Sequence, residues 1–196
     1  MTYRFMQKTT AFLGLSLLGF LAACASPSIS IAPPHQQVDR IADLISQELA
    51  SRGRKTTDSR QMSHTIVRLS ETYRVDPLLV LSIIKVESQF RPTVKSYAGA
   101  IGLMQVMPIV VRHIGSEVDI HSQNDLYNPD KNILIGLHYF TYLRDKYSNN
   151  LLNTLTAYNM GPAALDGRLS HQRLIPTGYY RKVMSCYEQF QRRLIL

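Results

Sequence analysis

Residues 86–90 read Val-Glu-Ser-Gln-Phe and close a run that is otherwise apolar, from Leu78 to Val86. An ionised carboxylate beside so much apolar surface is costly, so such a group either reaches solvent or keeps a proton. A carboxyl that keeps its proton near neutral pH can give it to a leaving group and later take one back. Glu87 is therefore a candidate general acid. The alternative is an ordinary helix-end glutamate in a salt bridge. Other chemistries find no footing. The six histidines, at 35, 64, 113, 121, 138 and 171, show no His-x-x-x-His spacing and no Cys-His cluster, so no metal site is expected. There is no phosphate-binding glycine loop and no serine-hydrolase motif.

The elements that must hold Glu87 read as helices. Asp76-Pro77 pairs a capping carboxylate with a first-turn proline. It predicts a helix over 77–88 that is apolar nearly all round, hence central and buried. Pro92 blocks any extension. Upstream, Val38, Ile41, Leu44, Ile45 and Leu49 fit one face of a helix. Residues 51–63 are polar and basic and predict a loop. From His64, the spacing of Ile66, Val67, Leu69, Ser70 and Tyr73 predicts an amphipathic helix. Gly99 and Gly102 permit tight turns, and a helix is predicted to resume near Gly102 and run towards His113. Asn128-Pro129-Asp130 reads as a turn or cap. Helices are predicted over 133–147, over 151–160 with a stop at Gly161-Pro162, and over 178–194. No alternating strand and no internal repeat is visible, so the class is mainly α.

Four separated stretches stand out together: Val-Glu-Ser at 86–88, Gly-Leu-Met-Gln at 102–105, Ala-Tyr-Asn-Met-Gly at 157–161 and Gly-Tyr-Tyr at 178–180. In this order they resemble the soluble-type lytic transglycosylases, whose domain resembles goose-type lysozyme. The resemblance covers roughly residues 62–190, and Asp125 to Pro129 and Asn132-Ile133 fit it too. It implies a lysozyme-like α-helical domain with a cleft for peptidoglycan. It also implies cleavage between N-acetylmuramic acid and N-acetylglucosamine with a 1,6-anhydro end, by one glutamate acting as acid and then base, with no cofactor. Glu87 takes that role by resemblance. Ser88 is expected near the acetamido group or the carboxylate, with a helix cap as its plainer reading. Met104 and Gln105 are expected to line the cleft, and Tyr158 and Asn159 to face the reacting sugar. Aromatic and amide side chains suit sugars, which offer apolar faces and hydroxyls. Tyr179 or Tyr180 is expected to hydrogen-bond Glu87. Spacing to Arg181-Lys182-Val183 favours Tyr179, whereas Thr177, where the family often has arginine, keeps Tyr180 open. A hydrolytic muramidase would need a second carboxylate, for which Asp119 and Asp125 are available. A non-catalytic wall-binding role is the other rival.

The N-terminus has Arg4 and Lys8, an apolar stretch from Ala11 to Ala23, then Cys24, the layout of a secretory signal. Leu21-Ala22-Ala23-Cys24 resembles a lipobox, which implies lipidation of Cys24. Ala25 and Ser26, rather than aspartate, then imply an outer-membrane lipoprotein facing the periplasm. The expected organisation is a signal over 1–23, a flexible tether over 24–37, an N-terminal helix and polar loop over 38–61, and the catalytic domain over 62–196. With Cys24 lipidated, Cys186 has no cysteine to pair with. The net charge is +8, of which Arg4 and Lys8 supply two, leaving about +6 for residues 24–196. That favours an anionic partner: wall polymer or lipid headgroups rather than nucleic acid, for which there is no motif. Nothing in the sequence demands more than a monomer.

Overall fold

The computed structural model describes residues 34–53 and 59–195. The signal, Cys24 and most of the expected tether lie outside the described residues. Among those described, eight α-helices account for most of the chain and no strand is formed. They are α1 Pro34–Ala50, α2 Ser59–Tyr73, α3 Pro77–Ser88, α4 Pro108–Ile114, α5 Pro129–Lys146, α6 Leu151–Met160, α7 Pro162–Ser170 and α8 Gly178–Ile195. None is long and apolar enough to cross a membrane.

The central element is α3. Asp76 accepts a hydrogen bond from the Leu78 backbone N–H at 2.8 Å, with Pro77 in the first turn. Leu78, Leu79, Val80, Leu81, Ile83 and Ile84 are all buried. Each contributes roughly 1.5–3 kcal/mol through area removed from water. The two buried serines return their hydroxyls to the helix: Ser82 donates to the Leu78 carbonyl and Ser88 to that of Ile84. The helix stops where Gln89 (φ 52°) and Phe90 (φ 59°) turn left-handed. α8 packs along α3, while α2 packs against α1 and α5. Asn128 caps α5 through the N–H groups of Asp130 and Lys131, and Asn150 caps α6 through that of Asn153.

Several features differ from the sequence reading, among them the start of α5, at Pro129 rather than 133. α1 begins at Pro34, so the last four residues of the expected tether are helical, with proline in the first turn where its missing N–H costs nothing. α2 begins at Ser59 rather than near His64. Met62 is buried in the core, and Ser59 accepts a hydrogen bond from Ser46 of α1 at 2.9 Å, so tertiary contacts extend the helix into a polar stretch. Residues 102–107 are not helical: Ile101 bridges to Lys95 and to Val106, and helix resumes only at Pro108. The unforeseen α7 starts at Pro162, directly after Gly161 (φ 87°), and buries only Leu165.

Candidate active site

The last turn of α3 carries Glu87, and the first turn of α8 carries Tyr179. The Tyr179 hydroxyl donates to Glu87 Oε1 at 2.5 Å. Burial pushes the Glu87 carboxyl above the usual glutamate range, and the Tyr179 hydrogen bond offsets this only in part. Tyr158 of α6 faces the same carboxyl. Burial first, then the charge of Glu87, holds both phenols well above their ordinary value, so both stay protonated. The result is a half-buried carboxyl under the neutral Tyr179 hydroxyl, close enough to the neutral Tyr158 phenol to influence it. Such a group can retain a proton at a pH where an exposed glutamate has lost it.

Tyr158 also builds the wall of the site. Its hydroxyl donates to the Met104 carbonyl at 2.9 Å, and its ring lies tilted against Tyr139 and Phe140, with centroids at 5.7 and 6.4 Å. The 102–105 turn is pinned from below by Asn132 of α5, which is fully buried. Its Oδ1 accepts from the Met104 N–H at 2.8 Å, and its Nδ2 donates to the carbonyls of Ile101 and Leu126, each at 2.9 Å. Gly102 (φ 81°) lies so close above it that a Cβ would come within 2.2 Å of the Asn132 amide nitrogen. Glycine is thus required here twice over, by conformation and by space.

The structure sorts the candidate residues. Glu87, Tyr158 and Tyr179 come together. Between Tyr179 and Tyr180, it is Tyr179 that bonds Glu87, while Tyr180 is partly buried against the core. Gln105 is half-exposed, with φ 49°, and its Nε2 donates to the carbonyls of Val94 and Gly102, which leaves its amide oxygen for other partners. Asn159 is exposed beside Tyr158. Two expectations need correction. Ser88 has no exposed surface, and its hydroxyl bonds the Ile84 carbonyl rather than the carboxylate. Met104 is also fully buried: its side chain packs on Gly136, and its backbone, not its thioether, shapes the wall. Neither side chain lines an open cleft. Asn132 is the residue that sequence reasoning underrated. A lone amide at the head of an apolar helix was the available signal. Among the described residues, no cluster of three His, Cys, Asp or Glu side chains could hold a metal ion.

The sequence profile described as Transglycosylase SLT domain matches residues 64–173, more than half of the 196-residue chain. The chain belongs to the transglycosylase SLT domain family. A membrane-bound lytic murein transglycosylase C from Actinobacillus pleuropneumoniae serotype 5b is 38% identical over 118 residues, 55% of this chain and 32% of that protein. The protein of the same name from Glaesserella parasuis serovar 5 is 32% identical over 155 residues, 69% of this chain and 43% of its own length. The chain thus spans only 32–43% of the length of these relatives. Among solved structures, the 70 kDa soluble lytic transglycosylase of Escherichia coli superposes with a TM-score of 0.58 at 26% identity, over 83% of this chain and 30% of that one. A lytic transglycosylase from Pseudomonas aeruginosa gives a TM-score of 0.60 at 23% identity, which bears on the fold alone. The SLT fold here is accordingly the α-rich, lysozyme-like one. Glu87, Gln105, Tyr158 and Asn159 lie inside the matched span, whereas Tyr179 and the whole of α1 and α8 lie outside it.

Proposed function

We propose that this chain is a peptidoglycan lytic transglycosylase with Glu87 as its acid and then its base. The observation that carries this is the half-buried Glu87 at the end of the apolar α3, held at 2.5 Å by the Tyr179 hydroxyl, in a chain of this family; burial there favours its protonated form. In the first step the protonated Glu87 gives its proton to the glycosidic oxygen as the C1–O bond of N-acetylmuramic acid breaks. In the second, the Glu87 carboxylate takes the proton of the same sugar's 6-hydroxyl while that oxygen bonds C1. The product is a 1,6-anhydro end, and Glu87 is protonated again. Proximity lets the internal hydroxyl outcompete water. Tyr158, Asn159 and Gln105 would hold the sugar through ring contact and amide hydrogen bonds.

A hydrolytic muramidase would use a second carboxylate. Asp125 is engaged by Lys131 Nζ at 2.6 Å and by Ser122, which together hold it well below the usual carboxylate range, and Asp119 pairs with His121 at 2.8 Å. These ties favour the single-carboxylate reading. The cations Arg52, Arg181 and Lys182 line a groove beside the end of α3, a surface suited to an anionic polymer. Lipidation of Cys24, with outer-membrane attachment facing the periplasm, completes the proposal. Palmitate labelling of the full chain should be lost in Cys24→Ala.

The test of the reaction is digestion of purified peptidoglycan by residues 25–196, with products read by mass spectrometry and Glu87→Gln run beside it. Anhydromuropeptides from the wild type alone are expected. Reducing-end products would make the chain a muramidase, and binding without cleavage would leave it a wall-binding lipoprotein.

A further inference from the structure

We propose that Glu48 is a positioning residue for the site: by tying α1, α3 and α8 together at one point, it fixes where Tyr179 meets Glu87. The proposal rests on the reaction argued above and adds a residue that lies outside the family's matched span.

Glu48 sits in the last turn of α1 and is 8% exposed. Its Oε1 accepts from Lys85 Nζ of α3 at 3.1 Å and from Arg193 Nη1 of α8 at 2.6 Å. Arg193 Nη2 donates to Gln47 Oε1, also at 2.6 Å, so two successive residues of α1 hold one guanidinium. Both cations lie over the buried Phe190 ring, 4.9 and 5.6 Å from its centroid. A second link comes from the end of α1, where Arg52 Nη1 donates to Gln89 Oε1 at 2.9 Å. Gln89 is the left-handed residue that ends α3.

The geometry gives this cluster its meaning. Lys85 and Glu87 are two residues apart on a helix of 3.6 residues per turn, so they leave α3 on opposite sides, about 200° apart. α8 is therefore tied to the last turn of α3 at two separate points, fourteen residues apart along α8. Tyr179 holds the Glu87 side directly, and Arg193 holds the Lys85 side through Glu48. Apolar contacts alone already anchor α1, through Ile41, Leu44 and Ile45, all essentially buried. A buried ionic trio adds little stability that apolar residues would not supply. What it adds is direction: three helices meet at one carboxylate oxygen.

The groups facing Glu87 are Tyr158 from α6 and Tyr179 from α8. If Glu48 sets the Tyr179 contact, loosening it should mimic loss of the Tyr179 hydroxyl. The experiment compares wild type, Glu48→Gln, Tyr179→Phe and the double variant. It reads kcat and KM on soluble peptidoglycan fragments, and the titration of the Glu87 carboxyl by carbon NMR. We expect Glu48→Gln to lower kcat about tenfold with KM unchanged. It should move the Glu87 titration upwards, as Tyr179→Phe does, and the double variant should be no slower than Tyr179→Phe. Unchanged kcat and titration in Glu48→Gln, or effects that multiply in the double variant, would overturn the proposal. Arg193→Gln severs only the α8 arm at a more exposed group, and decides the matter if Glu48→Gln does not fold. A wild type that forms no anhydro products would sink the reaction. The titration would still decide whether Glu48 governs the Tyr179–Glu87 contact.

Discussion

The body of the domain, residues 64–173, and the two helices that flank it, α1 and α8, contribute to the site in different ways. The body supplies Glu87, the Tyr158 wall and the 102–105 turn, held by a local cap at Asp76, a left-handed glycine at 102 and, from about 30 residues along the chain, a buried amide at Asn132. The flanks supply the hydroxyl on Glu87 and the charge that braces its helix from behind. In the proposed reaction the body, with three of the four motifs, presents the acid, and the flanks would tune where it sits and how tightly it holds its proton. A matched family span is therefore narrower than the physical unit that makes a site work.

That contrast can be broken or sharpened by mutation. Glu87→Gln removes the only proton donor assigned to the reaction and should cut kcat about a hundred- to ten-thousand-fold on peptidoglycan fragments. Within the body, Asn132→Ala leaves the Met104 N–H and the Leu126 carbonyl without partners, while the Ile101 carbonyl keeps the Val106 N–H, and should cost on the order of 3 kcal/mol in denaturant unfolding. In the flank, Tyr179→Phe should lower kcat about tenfold. It should also shift the alkaline limb of the pH–rate profile upwards, because the lost hydrogen bond was the one influence lowering the Glu87 carboxyl.

The smallest effect, and the sharpest contrast, concerns two glutamates of opposite sign. Glu87 has a folded-state proton affinity above the ordinary one, with burial the largest cause. It therefore destabilises the fold as pH rises through the ordinary carboxylate range and beyond. Glu48 is pushed up by burial but pulled further down by Arg193 and Lys85. Its contribution is therefore present above the ordinary carboxylate value and lost as pH falls through its lowered one. Glu87→Gln should thus raise the melting temperature at neutral pH and leave it unchanged in acid. Glu48→Gln should lower it at neutral pH, with the difference shrinking in acid. Thermal melts across pH read both.

How much of this was legible in the sequence follows the same division. α3 could be read because its cap, its first-turn proline and its apolar run are local. The turn at 102–105 could not, because Ala-Ile-Gly-Leu-Met-Gln is compatible with helix. What forces Gln105 and Gly102 to positive φ is Asn132, far along the chain. Ser88 and Met104 sit in motifs beside real site residues, and only their burial shows that they serve the scaffold. α7 buries a single leucine, too little for a periodic signal. Glu48 falls on the apolar face of α1, seven residues after Ile41 and four after Leu44, but its partners Lys85 and Arg193 stand 37 and 145 positions away, beyond the reach of any local pattern.

The most direct test of the central claim is to digest peptidoglycan in water enriched in oxygen-18 and weigh the released muramoyl ends. Internal attack by the 6-hydroxyl predicts anhydro ends that carry no label. Oxygen-18 at C1 of a reducing end would show that water is the nucleophile, and would contradict internal attack by the 6-hydroxyl.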